Sequence, residues 1–68
     1  MRNKYQIELE QETDGRWIAE IVTLSGAMVY DDTREQAIMK VEALALRILA
    51  DRLEHGDTLQ ELDLLFAA

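Results

Sequence analysis

Three carboxylates in the middle of the chain are the first candidates for chemistry. Asp31, Asp32 and Glu35 lie close together in the sequence, and carboxylate oxygens are the ligands that hold divalent cations such as Ca²⁺. Acidic residues are equally typical of a first helical turn, where they complement the helix dipole and cap free N–H groups. Because no further ligand can be identified, we interpret the cluster as a helix start and predict neither a metal site nor a cofactor.

Histidine and hydroxyl side chains are the next candidates, as catalytic bases or nucleophiles. His55 is the only histidine and directly precedes Gly56, a position typical of a helix C-terminus, where a cation interacts favourably with the dipole. Ser25, Thr33 and Thr58 lie in no recognisable nucleophile motif. We therefore predict no catalytic residue and conclude that the chain is not an enzyme.

Charge and composition restrict the classes of partner. The chain has 68 residues, 14 of them acidic and 7 basic, and a formal charge of -7. Such a field repels phosphate backbones, so we predict no direct binding of nucleic acid. The most apolar stretch, residues 37–50, contains three charged residues, which argues against a membrane span. Without a signal-peptide pattern at the N-terminus, we expect a single cytoplasmic domain over residues 1–68.

Alternating apolar and polar residues in the first half of the chain predict three short β-strands. The buried face of the first strand would carry Tyr5, Ile7 and Leu9. The buried face of the second would carry Trp17, Ala19 and Ile21, in a strand that continues to Val22, and the third would cover residues 27–30. Between the first two strands, Asp14-Gly15 predicts a tight hairpin turn, because both residues tolerate positive φ.

A long helix follows the third strand. Thr33 is placed to accept a hydrogen bond from the backbone N–H of Gln36, residues 37–54 contain neither glycine nor proline, and Gly56 favours a left-handed helix end. Beyond it, apolar residues alternate over 59–66, which indicates a last strand, although a continued helix is the other interpretation. The predicted α+β fold is β-β-β-α-β, a small antiparallel sheet with one helix packed across a face.

The helix carries two apolar stripes rather than one. The broader stripe would cover the sheet; the second has 4-3-4-3 spacing, typical of a helix–helix contact, and comprises Met39, Ala43, Leu46, Ala50 and Leu53. Either the C-terminal segment or a second subunit could cover this second stripe. Because a chain of this size has little interior, we predict a homo-oligomer, a dimer or higher, with an interface that includes Met39, Leu46, Leu53, Ile18 and Val22.

Three segments together resemble one known family. Residues 14–21 (DGRWIAEI), 24–26 (LSG) and 32–37 (DTREQA) are similar, in order and spacing, to the HicB-like antitoxin family, and the similarity extends from about residue 5 to 56. The resemblance implies a partial ribonuclease-H-like fold without that enzyme's activity. It also implies a partner: a small basic toxin of the HicA type that cleaves messenger RNA. Many members carry a C-terminal DNA-binding domain, for which 68 residues leave no room.

An acidic protein of this family would occupy the basic surface with which a toxin grips RNA. The polar face of the first strand, with the neighbouring residue of the second, is the predicted partner-binding surface: Glu8, Glu10 and Glu20. The function we expect is therefore an antitoxin-like, protein-binding module of a toxin–antitoxin system. The alternative is an orphan HicB-like homo-oligomer with a structural or regulatory role and no toxin partner. Each acidic residue taken singly could serve only solubility.

Overall fold

The computed structural model describes residues 5–57, 59 and 66. The elements, in chain order, are β1 (Glu8–Gln11), β2 (Trp17–Glu20), β3 (Met28–Asp31) and α1 (Arg34–Glu54). The strands form an antiparallel sheet in the order β1-β2-β3, which confirms the small α+β fold with three strands followed by a helix. The predicted final strand lies outside the described residues. Within them, no helix has the length and apolar character needed to cross a bilayer.

The tight turn predicted at Asp14-Gly15 forms between β1 and β2, with three residues in its loop. The Glu12 N–H donates to the Arg16 carbonyl at 2.7 Å, and the Gly15 N–H donates to the Glu12 carbonyl at 2.9 Å. These bonds enclose three loop residues, of which only Gly15 has a positive φ, at 93°. Asp14 does not take positive φ, because its carboxylate accepts the Arg16 N–H at 3.0 Å and stabilises a local turn. The observed loop is the three-residue type that ends on a left-handed glycine.

The connection between β2 and β3 is built on three buried apolar residues. Ile21, Leu24 and Ala27 are almost wholly buried, and their backbones bond to one another: Ile21 N–H to Ala27 O, Leu24 N–H to Ile21 O and Ala27 N–H to Leu24 O, at 2.9–3.1 Å. Because these turns begin at Ile21, β2 ends at Glu20 rather than continuing to Val22 as predicted. Val22 lies exposed in the loop instead.

Both ends of α1 are capped as the sequence predicts. The Thr33 hydroxyl accepts the Gln36 N–H at 3.1 Å, which satisfies one of the free donors of the first turn. At the other end, Gly56 has φ of 91° and its N–H donates to Leu53, while the Asp57 N–H donates to Arg52. This pair of bonds is the Schellman arrangement, which requires a left-handed residue after the helix.

The core lies between α1 and one face of the sheet. Leu9, Ala19 and Val29 are aligned across the three strands, and Ala19 is completely buried there. The helix side of the core consists of Ala37, Val41 and Ala45, with Ile48 and Leu49 packed against them. This arrangement confirms the broader helix stripe as the one that covers the sheet.

Candidate functional site

The strand register leaves one face of the sheet uncovered by any described element. Since neighbouring residues of a strand point to opposite faces, the rows on either side of the Leu9–Ala19–Val29 row point away from the helix. One row pairs Glu8 with Glu20 and Glu20 with Met28; the other pairs Glu10 with Ile18 and Ile18 with Tyr30. We call this surface the open sheet face; it comprises Glu8, Glu10, Ile18, Glu20, Met28 and Tyr30.

The three predicted partner-binding glutamates come together at one end of the open sheet face. Glu8, Glu10 and Glu20 surround Ile18 and line a depression of about 130 Å³. Glu8 stands directly opposite Glu20, a cross-strand pairing of like charges that destabilises an antiparallel sheet. Within the described part of the chain, no cation pairs with any of the three carboxylates. The acidic end therefore presents concentrated charge to solvent around a half-buried apolar side chain.

The other end of the open sheet face is apolar and was not predicted. Met28 and Tyr30 are each 46% exposed, and the Arg16 guanidinium lies over the Tyr30 ring, 5.4 Å from its centroid. Arg16 also donates to the Asp14 carboxylate at 3.0 Å. Both apolar side chains belong to β3, whereas Ile18 and Glu20 belong to β2, so only the register of β2 against β3 places them beside the glutamates. The signal in the sequence was the alternation of residues 28 and 30 within the predicted third strand.

The carboxylates first considered for metal binding have structural partners. Lys40 forms an ion pair with Asp31, whose side chain is only 10% exposed, and the Asp32 N–H donates to the same carboxylate at 2.7 Å. The Lys40 hydrogen bond is the main cause that lowers the pKa of Asp31 below its ordinary 3.8, while partial burial acts in the opposite direction. Among the described residues, no group of three potential ligands is arranged around a metal position.

A cavity of about 400 Å³ opens beside this ion pair, between β3 and the start of α1. Its lining includes Arg16, Lys40, Asp31 and Asp32. Arg16 is paired with Asp14 and Lys40 with Asp31, so the cavity presents balanced charges rather than a surface selective for one sign. Its contacts are those of a structural junction between sheet and helix.

His55 lies at the end of α1, as predicted. Its Nδ1 is 2.7 Å from the Asp51 carbonyl oxygen, the distance at which a protonated Nδ1 donates to the end of a helix. The ring is exposed, and Nδ1 also lies 3.5 Å from the Asp51 carboxylate. These contacts account for His55 as a helix-capping residue.

The residues predicted for an oligomer interface fall on three different surfaces. Met39, Leu46 and Leu53 lie on the side of α1 away from the sheet and are 62%, 66% and 44% exposed. Ile18 belongs to the open sheet face on the opposite side of the domain, and Val22 belongs to the β2–β3 loop. The structure therefore keeps the helix residues together and separates Ile18 and Val22 from them.

Comparison with protein-family models, with curated proteins and with solved structures finds no match to this chain. The functional proposal therefore rests on the geometry of the open sheet face and of the exposed side of α1, as the described residues form them.

Proposed function

We propose that this chain binds a basic protein through the open sheet face. The observation that carries the proposal is the strand register, which gathers Glu8, Glu10 and Glu20 around Ile18 on a surface that no described element covers. A cationic partner would relieve the opposition between Glu8 and Glu20, because each carboxylate would gain a neighbour of opposite sign. The partner would thus stabilise a local arrangement that is unfavourable in the isolated chain.

The apolar end of the open sheet face supplies the second part of the contact. Tyr30 lies opposite Ile18 on the neighbouring strand, and Met28 lies beside Tyr30 along β3, so the three form one partly exposed apolar patch beside the glutamates. Apolar contact is the part of an interface that salt does not weaken. Aromatic residues and methionine are enriched in interface cores, whereas charges act mainly at the rim. We expect the glutamates to accelerate docking and the apolar end to slow dissociation.

The resemblance to the HicB-like family suggests what kind of basic protein this is. A HicA-type toxin needs cations where it grips the phosphates of messenger RNA, and an acidic sheet face complements that surface. The proposed function is therefore antitoxin-like: the chain occupies the RNA-binding surface of a small basic toxin and prevents cleavage by steric exclusion. No catalytic role of the chain itself is part of the proposal.

The test compares the wild type with a variant whose acidic end is neutralised. Each tagged chain is used to capture proteins from native lysate, with Glu8→Gln, Glu10→Gln and Glu20→Gln combined in the variant. We expect wild type to capture a small basic protein whose RNA cleavage it inhibits. The variant should associate with this protein several-fold more slowly, with a nearly unchanged dissociation rate, and the difference should shrink as salt is raised.

A second triple variant controls for the change in net charge. Asp51→Asn, Glu54→Gln and Asp57→Asn remove the same number of charges from exposed positions at the far end of α1, away from the open sheet face. This control should bind like wild type. Equal slowing of association by both variants would show that only the overall charge matters. A captured partner that associates with both variants as fast as with wild type would contradict the proposal.

A further inference from the structure

The outer side of α1 has the residue pattern of a helix–helix contact. Met39, Leu46 and Leu53 are spaced by seven residues, are the most exposed large apolar side chains of the helix, and alternate with Ala43 and Ala50. We call these five residues the outer stripe. In heptad terms, the three large residues occupy d positions and the two alanines occupy a positions.

Charged residues flank the outer stripe with opposite signs over most of its length. Glu35 and Glu42 occupy g positions on one side; Lys40, which also pairs with Asp31, and Arg47 occupy e positions on the other, where only Glu54 at the end of α1 is acidic. When two identical helices pair in parallel and in register, each g residue meets the e′ residue of the following heptad of the other copy. That geometry places Glu35 near the second copy's Lys40 and Glu42 near its Arg47.

An antiparallel pair would have less favourable electrostatics. In that orientation e positions face e′ positions and g positions face g′ positions, so Lys40 and Arg47 would meet a side of the second copy that is basic except at Glu54, and Glu42 would meet the side that carries Glu35 and Glu42. Like charges placed at these positions disfavour the orientation. We infer that two copies of this chain dimerise through the outer stripe, with their α1 helices parallel and in register.

A second copy fits the helix better than it fits the sheet. The open sheet face carries three acidic residues, and the nearby Arg16, which lies over Tyr30, is already paired with Asp14, so pairing two copies of this face would bring together two surfaces with an excess of negative charge. The outer stripe offers both signs and is therefore self-complementary. The inference is independent of the proposed function, since it uses the opposite side of the domain.

The small core of the domain favours dimerisation. Among the described residues, four of the seven buried apolar residues are alanines, and the other three are Ile21, Leu24 and Val41. Domains of this size bury a low fraction of their surface and gain from association. Covering Met39, Leu46 and Leu53 removes the exposed apolar stripe of the helix from water.

Disulfide trapping tests the orientation directly, because the chain has no cysteine of its own. Met39→Cys and Leu53→Cys are made as separate variants and oxidised. In a parallel, in-register dimer each cysteine lies beside its own copy, so both variants should form covalent dimers. Val22→Cys, exposed in the β2–β3 loop, measures the background from random collisions. Cross-linking of Leu46→Cys alone would indicate an antiparallel pair and overturn the inference.

Charge exchange tests the flanking pairs. Sedimentation should give twice the 7.8 kDa chain mass for wild type, and a mass shifted towards the monomer for Glu42→Arg or Arg47→Glu alone. An equimolar mixture of these two variants, or the double variant, should dimerise again, because both cross-helix pairs regain opposite charges. Circular dichroism confirms that every variant is folded. A monomeric wild type, or single variants that dimerise like wild type, would overturn the inference.

Discussion

At the scale of single residues, the Asp31–Lys40 pair shows how a residue type that suggests chemistry can serve the fold. Asp31 ends β3 and Lys40 lies more than one turn into α1, so the pair fixes the start of the helix against the edge of the sheet. The nearly buried carboxylate also accepts the Asp32 N–H. A carboxylate held by two donors is already satisfied and is a poor candidate for a metal ligand.

The lowered pKa of Asp31 predicts a pH-dependent contribution to stability. Because the folded-state pKa lies below the ordinary value of 3.8, the charged form stabilises the fold at pH above about 4, and this stabilisation is lost as pH falls through the folded-state pKa. Asp31→Asn should therefore lower the Tm at pH 7, and its difference from wild type should shrink towards pH 3. Thermal melts across this range measure it.

At each pH, the Tm of wild type is subtracted from that of the variant. This difference removes the effect of the overall charge of -7, which both proteins share almost entirely. Lys40→Met should show a similar dependence on pH, weaker because the Asp32 N–H still holds the carboxylate. A difference between Asp31→Asn and wild type that stays constant over the whole range would show that the charge of Asp31 is not what stabilises the junction.

Residue types could predict some of the candidate site but not its full extent. Glu8, Glu10 and Glu20 were predicted because alternation alone assigns each residue of a strand to a face. Met28 and Tyr30 were not, since their place beside Ile18 depends on the register of β2 against β3. The Asp31–Lys40 contact joins two elements whose relative position follows from packing, and no local pattern in the sequence encodes it.

At the scale of elements, α1 was the best predicted and the turns were the least. The caps of α1 depend on local chemistry at Thr33 and Gly56, and both caps form as expected. The first hairpin was placed correctly by Asp14-Gly15, yet its loop has three residues because Asp14 bonds the Arg16 N–H instead of taking positive φ. Competing turn types use the same residues, so composition locates a turn more reliably than it defines its geometry.

The pairing of β1 with β2 predicts a trade between stability and binding. Glu8 faces Glu20 across the strands, whereas Glu10 faces Ile18. Glu8→Gln should therefore raise the Tm of the isolated chain by about 1–4 °C at low salt, because it removes a directly opposed pair of like charges. Glu10→Gln is the matched control and should change the Tm less.

High salt should reduce the gain from Glu8→Gln, since screening already weakens the repulsion that the substitution removes. The same substitution should slow association with a basic partner, if the open sheet face binds one. Equal melting temperatures for Glu8→Gln, Glu10→Gln and wild type at low salt would show that the two opposed carboxylates point apart and do not repel each other measurably.

At the scale of the whole molecule, the open sheet face and the outer stripe, which no described element covers, lie on opposite sides of a two-layer domain. The sheet has its acidic face outward and the helix has its outer stripe outward, with the core between them. Their charge patterns differ in kind: one surface carries a single sign and favours a basic partner, while the other carries both signs and favours a copy of itself. Neither surface needs the other to be occupied.

This separation predicts an assembly of two chains with two partners. If α1 joins the copies and each open sheet face takes one basic protein, light scattering of the purified complex should give a 2:2 mass. Leu46→Asp, which would bury an unpaired charge in the helix contact, should convert the complex to 1:1 while leaving the affinity of each chain for its partner within a few-fold of wild type. A wild-type complex of 2:1 or 1:1, or loss of partner binding in Leu46→Asp with the fold intact, would mean that the two surfaces overlap or depend on each other. In that case the helix, rather than the sheet, would be part of the partner's binding site.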